Sequence, residues 1–175
     1  MTKAVLTEAD LPDPADFRTF HPFITGVFSQ WHPTPFELDG ERFVTAEQAM
    51  MVAKARLFGD AKAAVAIMAT DDPAVQKRRG QEVRNFEQPI WDLHRLDIVH
   101  TANRAKFAQN TGARRQLEKT APAMLVEANR RDWIWGNGLH IDDPANNDPF
   151  IWKGTNLLGR ILTKVRMDLM EVRIG

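Results

Sequence analysis

Thr45-Ala46-Glu47-Gln48-Ala49-Met50-Met51-Val52-Ala53-Lys54-Ala55-Arg56-Leu57-Phe58 is the stretch around which the rest of the chain is organised. It reads as one helix, because Ala, Met, Lys, Arg and Leu, all good helix formers, fill its middle. Thr45 stands where an N-cap belongs, and Gln48 three residues later completes a capping box. Gly59 follows the last apolar residue, the place of a C-terminal glycine. Glu47, Met51 and Lys54 are spaced i, i+4 and i+7 and share one face. Lys54 starts ~10 Å along the axis from Glu47, at ~1.5 Å per residue. Helical side chains lean toward the N-terminus, so its amine points back at the carboxylate with room for a small ligand between them. Taken alone, that face reads first as a solvated helix with an ordinary charge pair.

Upstream, Phe36-Glu37-Leu38 and Arg42-Phe43-Val44 alternate around Asp39-Gly40, a strong hairpin signal. Glu47 therefore falls at a strand-to-helix junction, a rigid mount for a site. Phe28-Ser29-Gln30-Trp31 reads as a strand end and His32-Pro33-Thr34-Pro35 as a rigid loop. Residues 17–28 suit short strands and turns. Residues 1–16, charged and containing Leu11-Pro12-Asp13-Pro14, read as a loose N-terminal arm or edge extension.

Downstream, Asp60 caps a helix over 61–68. Asp72-Pro73 opens another, with Pro in the first turn, that ends in Lys77-Arg78-Arg79-Gly80, cations followed by glycine. Gln88-Pro89 opens a long helix through about Gln109, with an interrupted apolar stripe of Ile90, Leu93, Asp97, Ile98, Arg104, Ala105 and Phe107. A short helix is expected over 114–119 and a strand over 125–128. Residues 132–139 form an aromatic, glycine-punctuated loop, and 141–150 a polar surface excursion. Thr155 or Asn156 caps a last helix to about Val172. No repeat and no linker divides the chain. The expected fold is α+β and mostly helical, a single domain over 17–175 with a short hairpin or small sheet, preceded by the arm at 1–16.

The 175 residues are enough for one domain with a real core. Lys+Arg 23 balances Asp+Glu 23, so no global basic field draws in nucleic acid, although a local basic face stays open. Without cysteine there is no disulfide, thiolate ligand or thiol nucleophile, which fits a reducing compartment. Residues 1–16 lack the apolar core of a signal peptide, and no apolar run is long enough to span a bilayer. A soluble, cytoplasmic protein without a membrane partner is the expectation.

Chemistry is narrowed by what is missing. There is no Gly-x-Ser-x-Gly, and serine is nearly absent. The five histidines show no ligand pair, and neither a P-loop nor a Rossmann fingerprint occurs. No metal or other cofactor is expected, although scattered carboxylates leave a weak Mg²⁺ site open. Glu47, in the first helical turn, reads either as a helix-dipole carboxylate or as a general base or partner for a developing cation. Lys54 is a surface lysine, a phosphate grip, or a nucleophile if desolvation keeps it neutral. Asp132 makes an Asx-type turn or faces a ligand. The composition, Trp 5, Phe 10 and Tyr 0, leaves Trp91 and Trp135 either in the core or stacked on a flat heterocycle. Lys77-Arg78-Arg79 reads as a solvated helix end before it reads as a phosphate contact.

At this point the residues resemble a family. Phe28-Ser29-x-Trp31, Asp39-Gly40 and Thr45-x-Glu47 followed by Lys54 look like the opening of the NADAR (YbiA-like) superfamily. The resemblance continues, in order, through Ala105-Lys106-Phe107, Leu117-x-x-Thr120, Leu125-Val126-Glu127 and Asp132-x-x-Trp135-Gly136-x-Gly138. It closes with Trp152-x-Gly154-x-Asn156-Leu157-Leu158-Gly159 and Val165-Arg166. It implies a helix-rich α+β fold and N-glycosidase chemistry. The substrates it implies are phosphorylated ribosylamino-pyrimidines of the riboflavin pathway, or ADP-ribose attached to guanine bases in nucleic acid.

The family's glutamate, lysine, aspartate and tryptophan fall on Glu47, Lys54, Asp132 and Trp135. The resemblance implies that Glu47 handles charge or water at C1, that Lys54 assists at the sugar and that Asp132 orients the ribose hydroxyls. Trp91 and Trp135 would flank the base or ribose. Gly136, Gly138 and Asn156 would offer phosphate donors, and Phe28 and Gln30 complete the substrate-binding set. Gln30 stands where asparagine is usual, Gln48 where histidine is usual, and Met51 where glutamine often occurs. The reaction suits these groups: breaking a ribosyl C–N bond builds positive charge at C1, which a fixed carboxylate stabilises. Two other readings stay open at this level, a non-catalytic ADP-ribose or nucleotide-binding module and a structural protein with every tryptophan in its core. The sequence does not fix the oligomeric state.

Overall fold

The computed structural model describes residues 4–172. The first three residues of the expected arm and the last three of the expected domain lie outside the described residues. In chain order the elements are β1 (Phe20–Phe23), β2 (Phe36–Leu38), β3 (Glu41–Phe43), α1 (Ala46–Leu57), α2 (Ala61–Met68), α3 (Pro73–Gln81), α4 (Gln88–Gln109), α5 (Thr111–Lys119), β4 (Met124–Glu127) and α6 (Leu157–Glu171). Short 3₁₀ turns lie at Glu8–Asp10, Pro14–Asp16, Pro144–Asn147 and Pro149–Ile151. The fold is α+β and mostly helical, as the sequence led us to expect. The elements group into two compact units, one on Gln30–Asn110 and the other on Glu8–Ser29 together with the chain from Thr111 onward.

The first unit holds the hairpin and four helices. β2 and β3 pair antiparallel with Phe36 opposite Phe43, and both rings are buried. Asp39 (φ 52°) and Gly40 (φ 80°) supply the two positive φ angles that such a turn requires. Thr45 then caps α1, its Oγ1 accepting from the Gln48 N–H at 3.0 Å. The reciprocal half of the expected capping box is redirected. Gln48 Oε1 accepts from the Val44 N–H at 2.9 Å, and its Nε2 donates to the carbonyls of Ile67 and Thr70. The Thr45 hydroxyl donates to Gln76 Oε1 at 2.6 Å, and Gln76 Nε2 donates to the Thr70 carbonyl. A buried polar network thus fixes the start of α1 against the end of α2 and the first turn of α3.

Asp60 caps α2 and Asp72 caps α3 with Pro73 at its start, as expected. Gly80 does not end α3. The helix runs on to Gln81, and a Cβ built on Gly80 would strike the Met51 side chain, so this glycine sets how closely α3 approaches α1. Gly80→Val is expected to cost about 1–3 kcal/mol through overpacking, read as a lower urea midpoint at unchanged m-value.

The buried stripe of α4 also differs from expectation. Ile90 and Leu93 are exposed, whereas Trp91, Leu96, Val99, Ala102, Asn103, Lys106 and Phe107 are buried. The buried stripe lies on nearly the opposite side of the helix from the expected one, at ~3.6 residues per turn, and it is disguised in sequence by the polar residues Asn103 and Lys106.

In the second unit β1 and β4 run parallel, Phe20 opposite Met124 through Phe23 opposite Glu127. β4 is buried, and Met124, Leu125 and Val126 meet the apolar face of α6, including Leu158, Ile161, Leu162 and Val165. Gly159 lets α6 come close, since a Cβ there would meet the Leu125 carbonyl oxygen. The described part of the expected loose arm is docked rather than loose. Leu11 is 5% exposed, and Arg160 donates to the Pro12 carbonyl at 3.0 Å and to the Glu8 carboxylate at 2.7 Å. Nor is Phe28–Trp31 a strand end: Gly26 turns at φ 82° and its carbonyl accepts the Ser29 N–H at 2.9 Å, closing a turn. Among the described residues no helix is long and apolar enough to cross a membrane.

Candidate active site

In the first unit the junction between β3 and α1 places Glu47 in the first helical turn, 6% exposed. Its N–H, one of those a helix start leaves without an intrahelical partner, donates to the Gln30 carbonyl at 3.0 Å. The Gln30 side chain is itself held. Its Oε1 accepts from Asn103 Nδ2 at 2.8 Å, and its Nε2 faces Met50 Sδ at 3.9 Å. Asn103 is fully buried on α4 and also donates to the Val99 carbonyl. α4 thus fixes Gln30, and the Gln30 backbone braces the helix turn that carries the Glu47 carboxylate.

Lys54 lies two turns further along α1. Its ammonium sits 4.5 Å from the centre of the Phe86 ring and 5.5 Å from that of Trp91. Burial lowers its pKa below the ordinary lysine value, while the Glu47 carboxylate pulls it back up. The aromatic faces stabilise the ammonium that burial disfavours. Trp91 is buried, on the first turn of α4.

Phe86 gave no sequence signal. It stands alone between α3 and α4, and Asp60 sets its place from far away in the chain. The Asp60 carboxylate caps α2 through the Ala63 N–H and accepts the Arg84 backbone N–H at 3.0 Å and its guanidinium at 3.3 Å. The Arg84 backbone and side-chain bonds and the Ala63 bond hold its pKa at about 2. The Phe86 ring also packs 5.2 Å from that of Phe58. Asn103 was legible in principle, as a polar residue in phase with Trp91, Val99 and Phe107.

Lys106, on the same buried stripe, has its pKa lowered from 10.5 to about 7 by burial. The unfolded chain then holds more protons than the folded one between about pH 7 and 10, so stability rises with pH across that window. Lys106→Met is expected to flatten this dependence, measured as the urea midpoint from pH 6 to 10.

The remaining candidates lie in the second unit. Asp132 Oδ1 accepts from the N–H groups of Ile134 and Trp135, both at 2.9 Å, an Asx turn that shapes the loop. Among the described residues Oδ2 carries no hydrogen bond, and Trp135 is partly exposed. Gly136 and Gly138 are buried. A Cβ on Gly136 would meet the Asp132 and Glu127 carbonyls, and Gly138 has φ 77°.

Asn156 is fully buried at φ 50°. Its Oδ1 accepts the Glu127 N–H at 2.9 Å, and its Nδ2 donates to the Leu125 carbonyl at 3.0 Å. Both ends of the amide serve β4, as a neighbouring strand would. Phe28 is likewise buried, edge-on to His21 and Phe23. The first unit thus gathers Glu47, Lys54, Gln30 and Trp91, with Phe86 added. The second presents Asp132 and Trp135 and uses Phe28, Gly136, Gly138 and Asn156 in its own packing.

The fold is thus helix-rich α+β, with a buried carboxylate and a half-buried lysine on one helix. The sequence profile of the NADAR domain matches residues 17–170, and the chain belongs to the NADAR domain family. It is 44% identical over 147 residues to the N-glycosidase R617 of Acanthamoeba polyphaga mimivirus, covering 81% of this chain and 86% of that protein. The NMR structure of Escherichia coli YbiA matches with a TM-score of 0.74 at 29% identity, over 91% of this chain and 89% of that one. A Vibrio vulnificus protein named riboflavin biosynthesis protein VVA0006 is 27% identical over 146 residues, 83% of this chain and 36% of that protein. By class, the chain is an N-glycoside hydrolase.

Proposed function

We propose that this N-glycosidase cleaves a ribosyl C–N bond, and that Glu47 and Lys54 carry the reaction. The observation that bears most weight is one helix presenting a buried carboxylate and a half-buried amine whose pKa is lowered by burial and raised by that carboxylate. The Glu47 carboxylate stabilises positive charge developing at C1 and orients water toward it. Trp91 and Phe86 give the flat, departing base an apolar wall. Asp132 is assigned to orient ribose hydroxyls through Oδ2, the oxygen that the Asx turn does not use.

For Lys54 we propose imine exchange. A ribosylamine opens to an imine at C1, and the neutral amine adds there and expels the base as its free amine. Water then hydrolyses the lysine imine to the free aldose, returning the amine. Borohydride added during turnover is expected to leave a sugar adduct on Lys54. Full activity in Lys54→Arg would leave the residue only a charge to contribute.

Phosphorylated ribosylamino-pyrimidines are the first substrate class, supported by the name of the Vibrio relative and by the absence of net positive charge. ADP-ribose on guanine bases is the second, kept by the resemblance. Mass spectrometry of hydrolysis on a panel of each decides between them. Tight, saturable binding to both panels without product release would make the chain a nucleotide-binding module instead.

A further inference from the structure

We propose that Asp60 is a positioning residue for the reaction: it sets where the Phe86 ring stands over the Lys54 amine, and through that ring it sets the amine. This rests on the reading that Lys54 works on the sugar.

Three parts of the first unit meet on Asp60, which is 3% exposed. Its N–H donates to the Ala55 carbonyl at 2.8 Å, one residue past Lys54 near the end of α1. Its Oδ1 accepts the Ala63 N–H at 3.1 Å and so caps α2. Its Oδ2 accepts the Arg84 N–H at 3.0 Å, in the connection that leads to α4. The helix that carries the amine and the segment that carries the ring are thus joined through one residue. The Phe86 ring also packs on Phe58, the residue that ends α1, so both contacts refer the ring to the same helix.

α4 needs this outside support. Its first turn follows Glu87, whose side chain makes no capping hydrogen bond, whereas aspartates cap α2 and α3. Phe86 stands just before Glu87, and Trp91 is the fourth residue of the helix. Those are the two positions of a hydrophobic staple, which fixes the angle at which a chain enters a helix. The Lys54 ammonium lies 4.5 Å from one ring and 5.5 Å from the other. Asn85 turns at φ 58° between Arg84 and Phe86. A two-residue tether therefore runs from the amide that Asp60 grips to the ring over the amine.

Substitution separates this role from capping. Both carboxylate oxygens of Asp60 accept an N–H, whereas asparagine offers one oxygen. Asparagine caps helices as well as aspartate does, so Asp60→Asn keeps the α2 cap and gives up the Arg84 amide. Arg84→Ala does the reverse. It keeps that amide and loses only a guanidinium whose side chain is 70% exposed, an ion pair of little weight.

The test uses the full chain. NMR follows the methylene protons beside the Lys54 amine, which the ring current of Phe86 displaces, and single-turnover hydrolysis of a phosphorylated ribosylamino-pyrimidine gives the rate. Asp60→Asn is expected to move those protons toward their position in Phe86→Leu and to slow hydrolysis about tenfold or more. Arg84→Ala is expected to change neither. Asp60→Asn/Phe86→Leu is expected to be no slower than Phe86→Leu, because no ring is left to place. Asp60→Ser, another cap with one oxygen, is expected to behave like Asp60→Asn and replaces it if that variant does not fold. Two results overturn the proposal: Lys54 protons that stay in place in both Asp60 variants, or a loss of rate that adds in full to that of Phe86→Leu. Failure of the hydrolase reading looks different, since the wild type then gives no product while the Lys54 protons still move in Asp60→Asn.

Discussion

Glu47→Gln is expected to fold normally, bind substrate and turn over about 10²–10³ more slowly, the usual loss when one preorganised electrostatic group is removed. The substitution keeps the shape of the side chain, and glutamine is a good helix former. The Glu47 backbone N–H bond to Gln30 does not involve the side chain and persists. What disappears is the negative charge. A second effect follows at Lys54, whose pKa burial lowers and the Glu47 carboxylate raises. Without the carboxylate only the lowering influence of the pair remains, so the lysine pKa moves further down and its neutral fraction at a given pH grows. Single-turnover rates, ligand affinity and an NMR titration of Lys54 read these changes together. Wild-type turnover with a small loss of stability would leave Glu47 as a helix-dipole carboxylate.

Asn156→Ala is expected to lower stability by about 3–8 kcal/mol, a large share of the ~5–15 kcal/mol that holds a typical domain. The cause is the loss of both amide bonds to β4. The Glu127 N–H and the Leu125 carbonyl lose their partners, at about 1–3 kcal/mol for each buried group left unsatisfied. Alanine at φ 50° adds about 1–2 kcal/mol of backbone strain. Asn156→Gly removes the strain and keeps the hydrogen-bond loss, so its midpoint is expected to fall between wild type and Asn156→Ala. Equal stability in all three would mean that β4 does not depend on this amide.

The parts of this fold that are legible in sequence are those whose causes are local. Asp39-Gly40, Thr45, Asp60, Asp72-Pro73 and Gln88-Pro89 each mark an element boundary through neighbours a few residues away, and the structure puts those boundaries there. The Glu47 and Lys54 face was visible because helical spacing alone sets it. Features determined by distant partners were not. Leu11 is buried and the arm docked through Arg160, far down the chain. Phe86 is positioned by the grip of Asp60 on Arg84. Asn156 read as a candidate helix cap and phosphate donor, because nothing near it in sequence reveals that β4 takes both ends of its side chain.

The start of α1 has one further property, which follows from the kinds of group that hold it. Thr45, Gln48 and Gln76 join it to α2 and α3, and Gln30 and Asn103 brace Glu47 from the other side. All are hydroxyls or amides, which neither gain nor lose a proton in the working range of an enzyme. A histidine at position 48, usual in the resembling family, would titrate near neutrality and carry its own transition into any activity profile. Here that background is silent. The bonds that seat the carboxylate then contribute no acid or alkaline limb of their own to the rate.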